Sequence, residues 1–309
     1  MAKRVLDCSA SDFRHMSAQE ILEGIAAAEG RTLVAEIIGA LQPVLMSVSN
    51  AELAAAFGAD ILLLNFFDVY APVFQGLPAT SRNEDSVIQN LERLTGRLIG
   101  INLEPVDPDQ ETLGEIRPLP PGRLASADTA REACRQGTRL IMLTGNPGSG
   151  VSNRAISRSL RAIRDALGRK IILGAGKMHA AGSRHEAGAN LINHEDVAEF
   201  VAAGADIILL PAPGTVPGLT VEYAKSLVDR AHSLGALTLT VIGTSQEGAD
   251  PQTLRQIALM CKMTGTDLHH LGDAGAFLGI ATPENIMAYS ITIRGKRHTY
   301  ARMARSVNR

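Results

Sequence analysis

Residues 58–64 read Gly-Ala-Asp-Ile-Leu-Leu-Leu, and residues 204–210 read Gly-Ala-Asp-Ile-Ile-Leu-Leu. Each stretch is a glycine followed by an apolar run without alternation of polar and apolar residues, which is typical of a parallel strand buried on both faces. Residues 137–143 and 265–271 follow the same pattern with Gly-Thr in place of Gly-Ala. The repetition indicates a chain built from similar units.

Eight units of this kind follow one another along the chain. Each begins with a glycine, which suits the left-handed position at the end of a helix, and continues with an apolar run and a helical pattern. The glycines recur at a mean interval of about 33 residues, as expected for βα units. They are Gly30, Gly58, Gly96, Gly137, Gly168, Gly204, Gly235 and Gly265. The runs are Leu33–Ile38, Ile61–Leu64, Leu98–Leu103, Leu140–Leu143, Ile171–Leu173, Ile207–Leu210, Leu237–Ile242 and Leu268–Leu271. Eight regular units predict an α/β fold, a closed (β/α)8 TIM barrel.

We expect one barrel domain over residues 1–309, with residues 1–30 as an N-terminal helical extension. Ser17 and Glu20 have the spacing of a capping box, which predicts a capping helix over Ile21–Ala28. This helix either closes the bottom of the barrel or packs against a neighbouring subunit, and we expect a homo-oligomer.

Composition excludes several classes of function. Lys and Arg (30) balance Asp and Glu (32), so the net charge of -2 gives no basic surface for nucleic acid. No apolar run approaches the roughly 18 residues that span a bilayer, and Asp7 and Asp12 precede any signal-peptide core. Cys8, Cys134 and Cys261 are odd in number and far apart, which indicates reduced thiols. We expect a cytoplasmic protein that binds neither nucleic acid nor membrane.

The working face of such a barrel is the C-terminal end of its strands. Polar side chains lie at this end of most predicted strands. The substrate-binding candidates among them are Asn65, Asp68, Asn102, Asn146, His270 and Asp273. His269 and His270 are adjacent in strand eight, so one ring faces the barrel interior and the other the helices. The sequence does not decide which.

Three polar residues fall on one predicted face of the sheet. Glu36 and Asn102 lie at the same offset from their preceding glycines, and Glu104 lies two residues further. Period-two geometry places them in the barrel interior, where a carboxylate needs a cation, a metal or hydrogen-bond donors. Glu36 and Glu104 are therefore catalytic candidates, and with Asp68 they are candidates to hold a divalent metal such as Mg²⁺. The alternative is a structural pair with Arg or Lys.

Lys177 and His179 follow strand five on the same working face. Beside small residues such as Gly176, a lysine can be desolvated enough to act as a nucleophile or a base. A histidine transfers protons near neutral pH. We expect both to be catalytic, with Glu36 and Glu104 balancing the lysine charge. The alternative is a surface lysine or one that pairs with phosphate.

Glycine-rich turns end strands seven and eight. Glycines let backbone N–H groups approach an anion, and the loops after these strands are a frequent phosphate site in barrels. The phosphate-binding candidates are Gly243, Thr244, Ser245, Gly272 and Gly275. The alternative is a pair of tight turns without a ligand.

The stretch Ala54–Asp68, with Phe57-Gly-Ala-Asp60 and Asn65, resembles the second βα unit of the BtpA-like phosphate-binding barrels. More remotely, the arrangement is similar to phosphoenolpyruvate mutase and isocitrate lyase barrels. Their Asp-x-Asp-x-Gly-Tyr-Gly signature after strand three is replaced by Asn102-Leu-Glu104-Pro105, and their Lys-Lys-Cys-Gly-His loop is absent. The magnesium-enolate chemistry of those barrels is therefore not carried over. Either resemblance implies a metabolic barrel enzyme.

These features predict an enzyme that acts on a small phosphorylated compound, such as a sugar phosphate, as an aldolase-type lyase or an isomerase. Such a reaction needs a poised base and charge stabilisation at an enolate. One alternative is a metal-assisted hydrolase, with Glu36, Asp68, Glu104 and His179 or His270 around one cation. Another is a barrel without chemistry that senses a metabolite. A divalent metal is the only cofactor indicated.

Overall fold

The computed structural model describes residues 3–79, 81, 85–109, 118–146, 148–180, 186 and 188–309. Eight parallel strands pair in chain order, and the eighth pairs with the first to close a barrel. They are β1 (Thr32–Ile38), β2 (Ile61–Asn65), β3 (Leu98–Leu103), β4 (Leu140–Leu143), β5 (Ile172–Gly176), β6 (Ile207–Pro211), β7 (Leu237–Ile242) and β8 (Leu268–Leu271). Each strand overlaps the apolar run that predicted it, so the prediction of a (β/α)8 barrel is confirmed.

A helix follows every strand, and two more precede β1. The helices are α1 (Ala10–His15), α2 (Ala18–Ala26), α3 (Asn50–Ala56), α4 (Val87–Thr95), α5 (Ala127–Arg135), α6 (Asn153–Leu167), α7 (His194–Ala202), α8 (Val221–Ser233), α9 (Pro251–Thr264) and α10 (Pro283–Met303). Across the described residues, none of the helices combines the length and the apolar character that a bilayer crossing requires.

The glycine of each unit adopts the expected backbone conformation. All eight have positive φ, between 60° and 112°. Gly96 and Gly265 show why glycine is needed at this position. Each is the left-handed residue that ends a helix, α4 and α9 respectively. A residue with a Cβ atom would be strained there.

The Gly-x-Asp pattern of the even-numbered units has a structural basis. In three units the aspartate before an even-numbered strand accepts a hydrogen bond from a backbone N–H of the preceding odd-numbered strand, which ties the two strands together at their N-terminal ends. The bonds run to Asp60 from Leu33 (2.8 Å), to Asp206 from Leu173 (2.9 Å) and to Asp267 from Thr238 (2.8 Å). The fourth unit has Arg139 at this position, which donates instead to the carbonyl oxygens of Phe13 and Met16.

The N-terminal helices cover the lower end of the barrel. The predicted capping box at Ser17 begins α2, which starts earlier than the pattern indicated, and α1 was not predicted. Ile21 and Ile25 belong to one buried apolar cluster with interior strand residues such as Leu98. The sequence left two positions open for the capping helix, the bottom of the barrel or a contact with a neighbouring subunit, and the structure shows it at the bottom of the barrel. Association between copies of the chain stays a prediction.

Candidate functional site

A cavity of about 670 Å³ opens at the C-terminal ends of the strands, where barrels carry their function. Nine of the residues singled out in the sequence line it: Glu36, Asn65, Asn146, His179, Gly243, Ser245, Gly272, Asp273 and Gly275. Strands β1 and β2 and the loops after β4, β5, β7 and β8 contribute them. The topology therefore gathers most of the predicted site at one place.

Glu36 lies at the floor of this cavity and is 3% exposed. The side-chain amide of Asn102 donates to its Oε1 at 2.5 Å, as their equal offsets from glycine suggested. The Oε2 atom lies 3.7 Å from Nε2 of His270. Burial, followed by the negative charge of Asp273, raises the pKa of Glu36 well above its ordinary range. Burial also lowers the pKa of His270 to about 3, so the two shifts favour an uncharged carboxyl group facing an uncharged imidazole.

Asn65 is the centre of a polar network across the barrel mouth. Its Nδ2 donates to Oδ1 of Asn146 at 2.9 Å and to Oδ2 of Asp273 at 2.8 Å. Its Oδ1 accepts from Asn102 at 3.2 Å and from Asn146 at 3.1 Å. This network connects β2, β3 and the loops after β4 and β8. A side-chain amide can present either a donor or an acceptor to a bound molecule.

The tandem histidines divide as expected. The ring of His269 faces the helices, where Nδ1 lies 3.1 Å from the hydroxyl of Tyr289 and Nε2 lies 3.1 Å from the carbonyl oxygen of Gly30. His269 is therefore a satisfied core residue, and His270 is the histidine that reaches Glu36. His179 lines the cavity, and burial together with the charge of Lys177 lowers its pKa to about 4.

The two glycine-rich loops lie side by side, as predicted: a Cβ atom on Gly272 would sit 3.3 Å from Cα of Gly243. Their N–H groups are already engaged, however. Gly272 donates to the carbonyl oxygen of Ile242 at 2.7 Å, and Gly275 donates to Oδ1 of Asp273 at 2.8 Å. The amide of Asp273 donates to Glu36. Phosphate binding stays a prediction, and the donors expected for it serve the protein's own carboxyl groups.

Glu247 is a cavity residue that the sequence analysis missed. It is 5% exposed, and the backbone N–H groups of Ser245 and Ala274 lie against its carboxylate. Burial nevertheless raises its pKa. Its signal in the sequence was an acidic residue within the turn that follows Gly243, where the chain returns over the barrel mouth. Thr244 points elsewhere, since its hydroxyl donates to the carbonyl oxygen of Thr215.

Three non-glycine residues of the cavity wall have positive φ: Phe66 at 54°, Ser245 at 82° and Ala274 at 54°. Such backbone is costly for residues with a Cβ atom and concentrates at functional sites. No residue-type pattern announced these positions. Phe66 also carries Arg123 over its ring at 4.5 Å.

Lys177 does not lie where the sequence analysis placed it. Its side chain is fully buried, and its ammonium group pairs with Glu186 rather than with Glu36 or Glu104. Burial lowers its pKa, and Glu186 opposes that shift. The physical reason is parity: Gly176 ends β5, with its missing Cβ facing Leu209, so the next side chain points out of the barrel. Among the described residues Lys177 is not part of the cavity lining.

Glu104 and Asp68 are likewise engaged outside the cavity. Glu104 forms an ion pair with Arg123, whose Nε lies 3.1 Å from its carboxylate. Asp68 accepts the backbone N–H groups of Tyr70 and Ala71 at 2.9 and 3.2 Å, which makes it a turn residue. The carboxylates proposed for a divalent metal thus do not converge. Nowhere in the described parts of the chain do three His, Cys, Asp or Glu side chains gather closely enough to hold a metal ion.

The profile of a family described as "Domain of unknown function (DUF7916)" matches residues 6–309. Comparison with curated proteins finds no match. An archaeal fructose 1,6-bisphosphate aldolase shares 13% identity, with 89% of this chain and 98% of that chain covered and a TM-score of 0.52. The carboxyl transferase domain of pyruvate carboxylase from Rhizobium etli, solved with 3-hydroxypyruvate, shares 13% identity, with 96% of this chain and 52% of that chain covered and a TM-score of 0.51.

A third solved structure is 2,3-dimethylmalate lyase, a PEP mutase/isocitrate lyase superfamily member. It shares 12% identity with this chain, the match covers 84% of this chain and 81% of that chain, and the TM-score is 0.48. At these identities the likenesses show the barrel fold alone. The superfamily named from the sequence as a remote resemblance is thus represented among the structural neighbours, while the resemblance to BtpA-like barrels is not confirmed.

Proposed function

The chain belongs to the DUF7916 family, and we propose that it is a lyase or isomerase that moves a proton on a small hydroxylated carbonyl compound. The compound would occupy the cavity at the C-terminal ends of the strands. The observation that carries this proposal is the buried Glu36, held by Asn102 and facing His270.

Glu36 has the properties of a general acid that can return as a base. Burial and the negative charge of Asp273 raise its pKa, which favours its protonated form. Asn102 holds one oxygen in place, which leaves the other directed at the space beside His270. A substrate carbonyl oxygen placed there would receive the proton of Glu36, while the neutral imidazole of His270 would take the proton that leaves the neighbouring carbon. The product of these two transfers is an enol, and their reversal at the other carbon completes the reaction.

Asn146, held in place by Asn65, offers such a substrate a polar contact. Both residues line the cavity. The two N–H groups of Asn65 are donated to Asn146 and Asp273, whereas Asn146 donates one of its two to Asn65 and keeps the other for a hydroxyl or carbonyl oxygen. Donors fixed in advance by a network stabilise a developing enolate without reorganising during the reaction. The aldolase and the lyase among the structural neighbours are compatible with this reaction class, which stands on the site geometry.

The phosphate group expected from the glycine-rich loops is not part of this proposal. The described cavity lining includes no Lys or Arg, and the loop amides serve Glu36, Asp273 and Glu247. The unesterified compound is therefore the proposed ligand. A metal-assisted hydrolase is not favoured either, because Glu36, Asp68 and Glu104 do not converge.

The proposal is tested by proton exchange. A panel of hydroxyaldehydes, hydroxyketones and 2-oxo acids, each with and without a phosphate ester, is screened by thermal shift, and the hits are incubated with the protein in deuterium oxide. We expect NMR to show deuterium at a carbon next to the carbonyl. Glu36→Gln should slow this exchange by about a hundredfold or more, while Glu23→Gln, on the exposed face of α2, should not. Exchange that persists in Glu36→Gln would overturn the assignment.

A further inference from the structure

The cavity has an unbalanced charge. Three carboxyl groups line it, those of Glu36, Glu247 and Asp273, and its described lining contains no Lys or Arg. Two described cations nearby already have carboxylate partners: Arg123, which lies over the ring of Phe66, pairs with Glu104, and Lys177 pairs with Glu186. A carboxylate taken out of water without a cation is costly. Glu36 avoids this cost in its protonated form, which its raised pKa favours, so Glu247 and Asp273 are the two groups that a cation would stabilise.

Glu247 shows where the partner is missing. Its Oε2 atom is buried and has no hydrogen-bond partner among the described residues. Backbone N–H groups of Ser245 and Ala274 favour its charged form from the protein side. A buried acceptor without a donor costs free energy, and such an atom in a native protein calls for a donor, which a ligand can supply. Asp273 lies close enough for its charge to act on both Glu247 and Glu36.

The spacing of these carboxyl groups suits a molecule rather than an ion. They stand around a cavity of about 670 Å³, and no three acidic or imidazole groups of the described residues come together at one point. A substituted ammonium group donates in up to three directions and can satisfy separated acceptors. The ring of Phe277 also lines the cavity, and aromatic faces attract organic cations. Phe66 already carries a cation of the protein, Arg123, over its ring.

We propose that the substrate of this cavity carries an amine, bound as its ammonium ion by Glu247 and Asp273, while its hydroxylated carbonyl end reaches Glu36. This inference rests on the proposed function of the same cavity and names the class of substrate.

Three probes with the same three-carbon skeleton test the charge preference directly. They are 2-amino-1,3-propanediol, glycerol and glycerol 3-phosphate, which carry a cationic, a neutral and an anionic group on the same carbon skeleton. Dissociation constants are measured by NMR titration on the full chain, with Mg²⁺ alone as a fourth arm. We expect the amine to bind at least about tenfold more tightly than glycerol, the scale of one desolvated charge pair. Glycerol 3-phosphate should bind most weakly.

Glu247→Gln keeps the size of the side chain and removes its charge, so the preference for the amine over glycerol should fall to less than about threefold. Glu23→Gln, outside the cavity, should keep the full preference. Equal binding of the amine and glycerol, tighter binding of glycerol 3-phosphate, binding of Mg²⁺ that excludes the amine, or no binding of the amine at all would each overturn the inference. If the amine binds but no compound undergoes proton exchange, the proposed function is wrong and the inference stands. If only neutral compounds undergo exchange, the inference is wrong and the proposed function stands.

Discussion

The Oε2 atom of Glu36 stands 3.7 Å from Nε2 of His270 at the floor of the barrel mouth. That separation is too long for a direct hydrogen bond, and both groups are almost completely buried. Burial raises the pKa of Glu36 and lowers that of His270, and both shifts favour the neutral form of the group. The proton on Glu36 is therefore available to a ligand, and the folded protein becomes less stable as the pH rises.

Glu36→Gln should stabilise the protein at alkaline pH. The folded-state pKa of Glu36 is raised above the ordinary 4.5, so its favourable contribution is complete below about pH 4.5 and is lost as the pH rises through the folded value. Glutamine does not ionise, and its side chain can still accept from Asn102. We expect the melting temperature of the variant, relative to wild type, to be higher at pH 8 than at pH 5. A difference that does not change with pH would contradict the raised pKa.

Lys177→Met should destabilise the fold rather than act first on chemistry. The substitution leaves the carboxylate of Glu186 without its buried partner, which costs about 3–5 kcal/mol in comparable cases. Lys177→Met combined with Glu186→Gln should recover most of that loss, since no unpaired charge remains. Urea denaturation of the two single variants and the double variant measures the coupling. If Lys177→Met keeps full stability and loses turnover, Lys177 acts in catalysis as the sequence suggested.

Asp60→Asn should be among the most damaging single changes in the barrel. Asp60 is fully buried and pairs with Arg294 at 2.5 Å and Arg302 at 2.6 Å. Burial alone would raise its pKa, but the two guanidinium groups outweigh burial and lower it below 3.8. Neutralising it should cost about 3–5 kcal/mol at pH 7, measured by urea denaturation.

The contribution of Asp60 should be complete above about pH 3.8 and should decline as the pH falls through its lower folded value. Asp206→Asn is the matched control, because Asp206 makes the same backbone contact but pairs with the partly exposed Arg164. We expect a smaller loss there. Equal losses in the two variants would show that the strand contact, not the buried ion pair, carries the stability.

Ala274→Gly should raise stability and weaken the site. A non-glycine residue at φ 54° costs about 1–2 kcal/mol, and glycine returns about 0.4–1 kcal/mol of that through its freer unfolded chain. We expect a net gain of about 0.5–1 kcal/mol, with weaker ligand binding because the loop against Glu247 is no longer held. Glu29→Gly is the control, since it has φ 53° far from the cavity. Glu29→Gly should raise the free energy of unfolding without changing ligand binding. Weaker binding in both variants would show that the backbone conformation of Ala274 is not what supports the site.

The barrel was predictable because its signals are local. A glycine that ends a helix and an apolar run that forms a buried strand are each read within about ten residues, and the repeat supplies the order. Period-two counting placed Glu36 and Asn102 on one face of the sheet, and the structure adds the hydrogen bond between them. The same counting, carried from Gly176, turns Lys177 out of the barrel.

The remaining features of the site depend on contacts between distant segments. His269 and His270 can be assigned to their faces only when the packing of β8 against α10 is known, since Tyr289 decides which ring is satisfied outside the barrel. Glu247 enters the cavity because the turn after β7 folds back onto Ala274. No spacing in the chain encodes that approach.

Arg139 makes the barrel unequal around its circumference. In the other three strand pairs an aspartate ties the lower ends together within the sheet, whereas Arg139 reaches out to Phe13 and Met16 in the N-terminal segment. The seam between β3 and β4 is therefore fastened by the beginning of the chain. Proteolytic removal of the segment before α2 should therefore weaken the pairing of β3 with β4 before that of the other strands. We expect the backbone amides of β4 then to exchange with solvent earlier than those of β2, β6 and β8.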